Sequence, residues 1–175
     1  MAIVGAAGGV GHYAVQIAKA LGYQVMGVDL GTERMEFVKS LGADFAVEPH
    51  AAEKLAKEQL GRVHACIVFS PKIAGFELGL RLVRRGGVFV IVGLPAQGEG
   101  HLKLAPMDMI TKDILIMASI AGTVEEMREL VALAAAGKVK THVAKTARLS
   151  QLNEVLSDLE HGRYFGRAVI DDMAG

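Results

Sequence analysis

The chain has 175 residues, 51% of them hydrophobic, and its 19 basic residues balance its 19 acidic ones. This length and apolar content predict one folded globular domain with, at most, an appendage. The balanced charge argues against a nucleic-acid surface or a polybasic membrane patch, and no apolar run reaches the roughly 18 residues needed to span a bilayer. The amino terminus lacks the residue order of a signal peptide, so we expect a cytoplasmic protein.

Residues 5–11, with the sequence GAAGGVG, form the most informative stretch of the chain. They lie between a short apolar run at 2–4 and an amphipathic segment at 10–21, which is where a strand passes into a helix. Glycines permit a tight turn and let a pyrophosphate approach the backbone, while the first N–H groups of the helix point at the phosphates. Because no lysine follows in the pattern of a nucleotide-hydrolysing loop, the motif favours a dinucleotide over a triphosphate.

A carboxylate follows the second predicted strand at the spacing expected of a ribose ligand. The strand at 24–28 ends at Asp29, eighteen residues beyond Gly11. A carboxylate at this point accepts hydrogen bonds from both adenosine ribose hydroxyls and repels a 2′-phosphate, so Asp29 favours NAD over NADP. The alternative is a solvated turn residue. Nearby Arg34 could stack on the adenine or reach a ribose hydroxyl.

Six strand-like runs alternate with helical segments along residues 1–121. We predict strands at 2–4, 24–28, 45–47, 63–69, 88–92 and 114–120. We predict helices at 10–21, 33–41 with Thr32 as cap, 52–60, 73–83 and 107–112, with Gly86 and Gly87 turning the chain before the fifth strand. The first helix is expected to turn an apolar stripe toward the sheet, made of Val10, Ala14, Ile17, Ala18 and Leu21. The right-handed crossover rule then predicts an α/β Rossmann fold, a doubly wound six-stranded parallel sheet of order 3-2-1-4-5-6.

Beyond Thr123 the strand–helix alternation stops. A helix carrying Met127 and Leu130 is followed by a strand-like run at 141–145, a second helix with Leu152 and Val155, and a last strand at 167–170. We therefore expect a Rossmann domain over 1–121 and a C-terminal helix and strand appendage over 122–175.

The residue order resembles the coenzyme-binding half of the medium-chain zinc-dependent alcohol dehydrogenases of the yeast and bacterial type. The segments that carry the resemblance are GAAGGVGHYAVQIAKALGYQVMGVDLG, VFVIVGLP and YFGRAVID. The resemblance implies a domain that binds NAD and presents the nicotinamide to a zinc-bound alcohol for hydride transfer. It implies pyrophosphate contacts from the turn and Arg167, ribose contacts at Asp29 and Arg34, and a nicotinamide wall. The predicted cofactor residues are Gly8, Gly9, Val10, Gly11, Asp29, Arg34, Phe69, Val92, Leu94, Ser119, Ala121 and Arg167.

The sequence opens inside the first predicted strand, whereas the family's zinc-holding catalytic domain precedes this point. We therefore expect a truncated or naturally short form that binds NAD weakly, holds no zinc and turns over no alcohol. No catalytic residue or metal ligand is predicted. Cys66 is the single cysteine and lies in an apolar run, which indicates an inert buried thiol; with His64 it would make a poor metal site.

Two histidine predictions depend on local context. His12 either donates to a phosphate or lies on the exposed flank of the first helix. The four histidines expected at the surface are His50, His101, His142 and His161.

Two other functions are compatible with the sequence. A zinc-independent quinone or enoyl reductase would use NADPH, and a non-catalytic dinucleotide-binding or assembly module would perform no reaction. The family resemblance also implies a homodimer through the edge strand at 114–120. The tail strands at 141–145 and 167–170 resemble segments that pack on the catalytic domain, so we expect them to lack partners or to find substitutes.

Overall fold

The computed structural model describes residues 1–95 and 97–173. The elements up to the sixth strand are β1 (Ala2–Val4), α1 (Gly11–Ala20), β2 (Met26–Val28), α2 (Thr32–Ser40), β3 (Phe45–Val47), α3 (Pro49–Leu60), β4 (Val63–Val68), α4 (Ile73–Leu82), β5 (Val83–Ile91), α5 (Pro106–Lys112) and β6 (Leu115–Ala118). They are followed by α6 (Val124–Ala135), β7 (Val143–Arg148), a 3-10 turn (Leu149–Gln151), α7 (Leu152–Glu160) and β8 (Arg167–Asp172).

The first six strands form one parallel sheet in the order β3-β2-β1-β4-β5-β6, which confirms the predicted Rossmann topology. At its centre, Val4 of β1 is in register with Val28 of β2 and Val68 of β4. The carboxyl ends of these strands therefore meet at one edge of the sheet. Gly5, which follows Val4, comes close to the next residues of the neighbouring strands.

Two apolar clusters fill the spaces on either side of the sheet. On one face Val15, Val25 and Val38 are fully buried between the sheet and helices α1 and α2. On the other face Leu82 and Phe89 lie in a larger cluster that includes side chains of α3 and α4. Burial on both faces is the arrangement expected of a parallel sheet covered by crossover helices.

The strand β5 begins earlier than predicted. It follows α4 directly at Val83, and the expected turn at Gly86 and Gly87 lies within it as a bulge, where the β4–β5 register shifts. A Cβ on Gly87 would stand 2.5 Å from a methyl of Val83, so the bulge requires glycine there. A second difference is at α2, where Thr32 is the first helical residue and Gly31 is the cap.

The apolar stripe predicted on α1 is only partly confirmed, since Ala18 is buried and Ala14 packs against the same cluster. Val10 is 48% exposed and Leu21 63% exposed, whereas Val15 is fully buried in that cluster and two polar residues, His12 and Gln16, are buried against the tail. The buried face is displaced because the tail of the chain covers one side of the helix, as described below. An apolar pattern alone cannot reveal a face that is buried through hydrogen bonds.

The two strands of the tail pair with each other. β7 and β8 form a separate two-stranded parallel sheet, with Thr146 opposite Val169 and the crossover made by α7. The helix α6 before them starts with a capping box, in which Thr123 and Glu126 satisfy each other's backbone N–H groups. The division of the chain at residues 121 and 122 stays a prediction.

Across residues 1–95 and 97–173, no helix is both long enough and apolar enough to cross a membrane.

Candidate cofactor-binding site

The start of the glycine turn is held by backbone hydrogen bonds to the end of β2. Gly5, at φ 82°, and Ala6 both donate to the carbonyl of Val28, at 2.9 and 3.2 Å. A Cβ on Gly11 would stand only 2.0 Å from the Gly5 carbonyl oxygen, so no other residue fits where the turn passes into α1. The turn therefore brings the start of a helix directly to the end of a central strand, as the sequence predicted.

The middle of the turn is suited to an anion. Within the described residues, the N–H groups of Gly9 and Val10 make no hydrogen bond, and α1 begins without a side-chain cap. Unpaired N–H groups at the start of a helix, together with the helix dipole, favour a phosphate. The absence of a side chain at Gly9 lets the guanidinium of Arg167 come close to the turn. These features fit the pyrophosphate of a dinucleotide.

Asp29 is bound into the turn. Its Oδ2 accepts a hydrogen bond from the Ala7 N–H at 2.8 Å, and its Oδ1 accepts one from the Leu30 N–H at 2.9 Å. The side chain is only 9% exposed, so the alternative of a solvated turn residue does not describe it. Each carboxylate oxygen can accept more than one hydrogen bond. Asp29 therefore retains acceptor capacity for ribose hydroxyls while its position is fixed.

Arg34 connects Asp29 to the distant tail. Its Nη1 lies 3.4 Å from Oδ1 of Asp29, and its Nη2 donates to the Gly162 carbonyl at 2.7 Å and approaches the Tyr164 carbonyl at 3.5 Å. The guanidinium is thus engaged by the protein on two sides. The sequence located Arg34 near the ribose partner, but it contained no sign of the link to residues 162–164.

Arg167, at the start of β8, reaches the other end of the cleft. Its guanidinium lies 3.1 Å from the position that a Cβ on Gly9 would occupy, and 5.9 Å from the centre of the Tyr13 ring. Backbone hydrogen bonds hold this part of the tail, since Gly166 donates to the Ala7 carbonyl and Arg167 to the His142 carbonyl, both at 2.9 Å. The structure therefore sets a positive charge beside the predicted pyrophosphate turn.

A cleft of about 670 Å³ runs between the glycine turn, the ends of β4 and β5, and the tail. The predicted cofactor residues on its walls are Gly8, Gly9, Val10, Gly11, Asp29, Arg34, Phe69, Val92, Leu94 and Arg167. Two predicted residues lie outside these walls. Ser119 extends β6 by donating to the Ile91 carbonyl, and Ala121, at φ 56°, lines an adjoining cavity of about 740 Å³ that also touches Phe69 and Arg167.

Part of the cleft was missed from the sequence. One wall is made by the tail, through Leu159, Gly162, Tyr164, Gly166 and Ala168, and the floor includes Ser70, Pro71 and Lys72. The positive φ angles of Gly162 and Gly166, 63° and 74°, mark the turns that bring the tail back to the cleft. Two glycines flanking an aromatic pair were the available signal, but they do not reveal which surface the loop contacts.

Both predictions for His12 were wrong, because its side chain is fully buried beneath the tail. Its Nδ1 lies 3.0 Å from the Gly8 carbonyl oxygen, and its Nε2 accepts the His142 N–H at 3.3 Å. Burial lowers the pKa of His12, since the charged ring would lose its hydration. His12 therefore joins the glycine turn to the tail.

His142 was wrongly expected at the surface. Its ring is half-buried, stacked on Phe165 with centroids 5.5 Å apart and close to Phe37 at 4.5 Å. The other three, His50, His101 and His161, are exposed as predicted.

Cys66 is fully buried, as predicted, and burial raises the pKa of its thiol to about 12, which disfavours the reactive thiolate. His64 on the same strand is exposed. In the part of the chain that the structure describes, no three His, Cys, Asp or Glu side chains are grouped to hold a metal ion.

The six-stranded parallel sheet, with a cleft at its carboxyl edge, defines a Rossmann-fold protein of the α/β class. The profile of the zinc-binding dehydrogenase family matches residues 9–136, so the chain belongs to this family and is an oxidoreductase domain of the alcohol dehydrogenase type. This confirms the resemblance seen in the sequence.

Relatives match the chain along nearly its whole length. An alcohol dehydrogenase from Geobacillus stearothermophilus is 40% identical over 165 residues, 93% of this chain and 48% of that protein. One from Moraxella sp. (strain TAE123) is 36% identical, over 97% of this chain and 49% of that protein. The chain thus spans about half the length of these relatives.

Solved structures agree with the sequence relatives. The alcohol dehydrogenase of the hyperthermophilic archaeon Aeropyrum pernix superposes with a TM-score of 0.86 at 30% identity, covering 95% of this chain and 48% of that one. The acetophenone reductase of Geotrichum candidum NBRC 4597, solved in complex with NAD, superposes with a TM-score of 0.80 at 29% identity, over 97% of this chain and 48% of that one.

Proposed function

We propose that this chain binds NAD(H) in the cleft at the carboxyl edge of its sheet and is the coenzyme-binding part of an NAD-dependent alcohol dehydrogenase. The observation that carries the proposal is the position of Asp29, whose carboxylate is fixed to the glycine turn through Ala7 and still has acceptor capacity. The solved NAD complex of the related acetophenone reductase supports the same choice of cofactor.

Different residues of the cleft bind the different parts of the cofactor. The N–H groups of Gly9 and Val10 and the guanidinium of Arg167 bind the pyrophosphate, because they combine unpaired donors with positive charge. Asp29 accepts the hydroxyls of the adenosine ribose. The nicotinamide then lies toward the ends of β4 and β5. The residues proposed for that end are Phe69, Val92 and Leu94, with backbone contacts from Ser119 and Ala121.

Asp29 also sets the preference for NAD over NADP. A 2′-phosphate would come close to a carboxylate whose side chain is 9% exposed and whose position is fixed. The positive charge of Arg34 partly offsets the repulsion between Asp29 and a 2′-phosphate, but its guanidinium already contacts Asp29 and the Gly162 carbonyl. The balance of charge therefore disfavours the phosphate, which counts against an NADPH-dependent quinone or enoyl reductase.

Catalysis in the whole enzyme needs more than the described residues supply. Bound NAD would accept a hydride from the alcohol carbon, and a zinc ion with an open coordination position would stabilise the alkoxide that remains. Because no suitable group of ligands exists among the described residues, we propose that zinc is held by residues outside this chain. The chain itself then contributes cofactor binding and orientation of the nicotinamide.

Titration of the 175-residue chain with NADH and with NADPH tests the proposal. We expect saturable NADH binding that is tighter than NADPH binding. Asp29→Asn should weaken NADH binding about tenfold, since a charged hydrogen bond contributes about 1.5–3 kcal/mol. The same change should reduce the preference for NADH over NADPH. Asp171→Asn, at an exposed position of β8, is the matched control and should bind as the wild type does. No saturable NADH binding at millimolar concentration would overturn the proposal and favour an assembly module; tighter NADPH binding would favour the reductase.

We also propose that the chain forms a homodimer through β6. This strand is at the edge of the sheet, and its Leu115 and Met117 are 57% and 48% exposed, with Ile120 just beyond at 84%. An apolar edge strand left open to solvent is a template for pairing with another strand. A second copy related by a two-fold axis would present its own β6. Pairing of the two β6 strands would then leave neither of them open to solvent.

A further inference from the structure

The guanidinium of Arg34 contacts two parts of the chain that are far apart in sequence. On one side is Asp29, five residues away, and on the other are the carbonyls of Gly162 and Tyr164, 128 and 130 residues away. The side chain is 24% exposed, so these contacts are partly shielded from water. A planar guanidinium with five N–H donors is well suited to this bridging, whereas a lysine ammonium is not.

The loop that Arg34 holds leads directly to Arg167. After Tyr164 the chain continues through Phe165, whose ring packs on Phe37 at 4.8 Å, and Gly166, whose N–H donates to the Ala7 carbonyl. The next residue is Arg167, with its guanidinium beside Gly9. Residues 162–166 therefore form a short connection between the ribose end and the pyrophosphate end of the cleft, and Arg34 anchors its beginning.

We infer that Arg34 is a positioning residue for Arg167: by holding the carbonyls of Gly162 and Tyr164, it fixes the loop that carries Arg167 to the pyrophosphate turn. This inference rests on the proposed NAD-binding function. It differs from a direct contact between Arg34 and the ribose, because the effect is transmitted along residues 162–166. Loss of Arg34 should therefore remove its own ribose contact and should also reduce the contribution of Arg167 to NADH binding.

A double-mutant cycle measured with NADH separates the two roles. Arg34→Gln and Arg167→Gln are each expected to raise the dissociation constant about tenfold, the loss typical of one charge-assisted contact. If Arg34 acts through Arg167, the double variant should be weakened less than about thirtyfold, because the two changes remove one shared interaction. If Arg34 acts on the ribose alone, the two factors should multiply to about a hundredfold.

Hydrogen–deuterium exchange of the ligand-free protein gives a readout that a direct ligand contact would not change. The amides of residues 162–166 should exchange faster in Arg34→Gln than in the wild type. Arg163→Gln is the control, since Arg163 lies in the same loop but pairs with Asp158 and is 62% exposed. Arg163→Gln should change neither the amide exchange rates of residues 162–166 nor the affinity for NADH. Arg34→Lys keeps the charge next to Asp29, so it is expected to fold even if the glutamine variant does not, and to show the same faster exchange.

The outcomes are distinct. Non-additive losses together with faster exchange at 162–166 support the inference. Multiplicative losses, unchanged exchange, or unchanged NADH affinity in Arg34→Gln each overturn it while leaving the proposed function standing. Absence of NADH binding by the wild type is a different result, because it overturns the proposed function itself and removes the basis of the inference.

Discussion

The backbone N–H of His142 donates to Nε2 of His12 across 3.3 Å, joining the start of α1 to a residue 130 positions later in the chain. Because Nε2 accepts, the proton of the neutral ring is on Nδ1, which donates to the Gly8 carbonyl. This histidine therefore satisfies one backbone group in the glycine turn and one in the tail. A protonated ring would have no lone pair left for His142.

Acid should loosen this contact. The pKa of His12 is lowered in the folded protein by burial, so the unfolded chain binds the proton more readily. The stability that neutral His12 contributes is present above its unfolded pKa, near 6.5, and is lost as the pH falls below that value, by at most about 1.4 kcal/mol per pH unit. Chemical denaturation between pH 7.5 and 5 measures this dependence.

His12→Gln retains an acceptor for the His142 N–H but cannot be protonated, so its stability should vary less with pH than that of the wild type. The control is His64→Gln, at an exposed site on β4, which should keep the wild-type pH dependence. Equal slopes for the wild type and His12→Gln would contradict the role given to His12.

Two glycines of the turn should respond differently to alanine. In Gly11→Ala the new Cβ would overlap the Gly5 carbonyl oxygen, which is backbone and cannot move aside, so we expect destabilisation by at least about 2 kcal/mol. In Gly9→Ala the new Cβ would lie 3.1 Å from both the guanidinium of Arg167 and the carbonyl oxygen of Gly166, so the tail would need to shift by only a few tenths of an ångström. That variant should be destabilised less than Gly11→Ala and should bind NADH more weakly than the wild type, because the methyl group displaces the guanidinium. Thermal melts and NADH titrations together test the pair; similar melting temperatures for both variants would contradict it.

Gln16 should be needed to attach the segment before β7. Its amide donates to the Lys140 carbonyl at 2.9 Å and accepts the Lys140 N–H at 2.8 Å, in the manner of a paired strand. Gln16→Leu leaves both backbone groups without these partners and is expected to cost about 2 kcal/mol. Gln59→Leu on the exposed side of α3 serves as control and should cost little. Amide exchange near residue 140 should increase in the first variant alone, and an unchanged exchange rate would argue against the attachment.

Light scattering tests the proposed dimer. The wild type should have twice the mass of one chain, and Met117→Lys should be monomeric, because a charge on the edge strand opposes pairing. Val131→Lys provides the comparison, since Val131 is an exposed apolar residue, 58% accessible, that belongs to α6 and not to the edge strand. It should remain dimeric. A monomeric wild type would remove the proposal.

The sequence predicted most of the sheet and the half of the cleft formed by the Rossmann strands. These predictions depended on short-range features of the sequence. The glycines of residues 5–11 indicate unusual backbone angles, and Asp29 follows its strand at a fixed spacing. The family profile over residues 9–136 agrees with that interpretation. Both signals depend on residues that are neighbours in the chain or separated by one strand–helix unit.

The tail contacts could not be predicted in the same way. Gln16 and His12 occupy positions on α1 that a hydrophobic pattern assigns to solvent, and their partners are backbone groups more than 120 residues away. Every residue except proline has both a backbone donor and a backbone acceptor, so the sequence does not show which of them a side chain will bind. The same reason explains why the link from Arg34 to Gly162 was missed while the proximity of Arg34 to Asp29 was predicted.

The pairing of Ala7 with Gly166 has a consequence for how the protein is made. The glycine turn is synthesised well before the loop that completes its cleft, because strands β2 to β6 lie between Ala7 and Gly166 in the chain. Contacts of such large sequence separation slow folding, since the chain must close a long loop before they form. The nascent Rossmann strands must therefore persist with an open cleft until the tail has been synthesised, and a ribosome-stalled chain ending before residue 160 should show a native-like sheet without the tail wall.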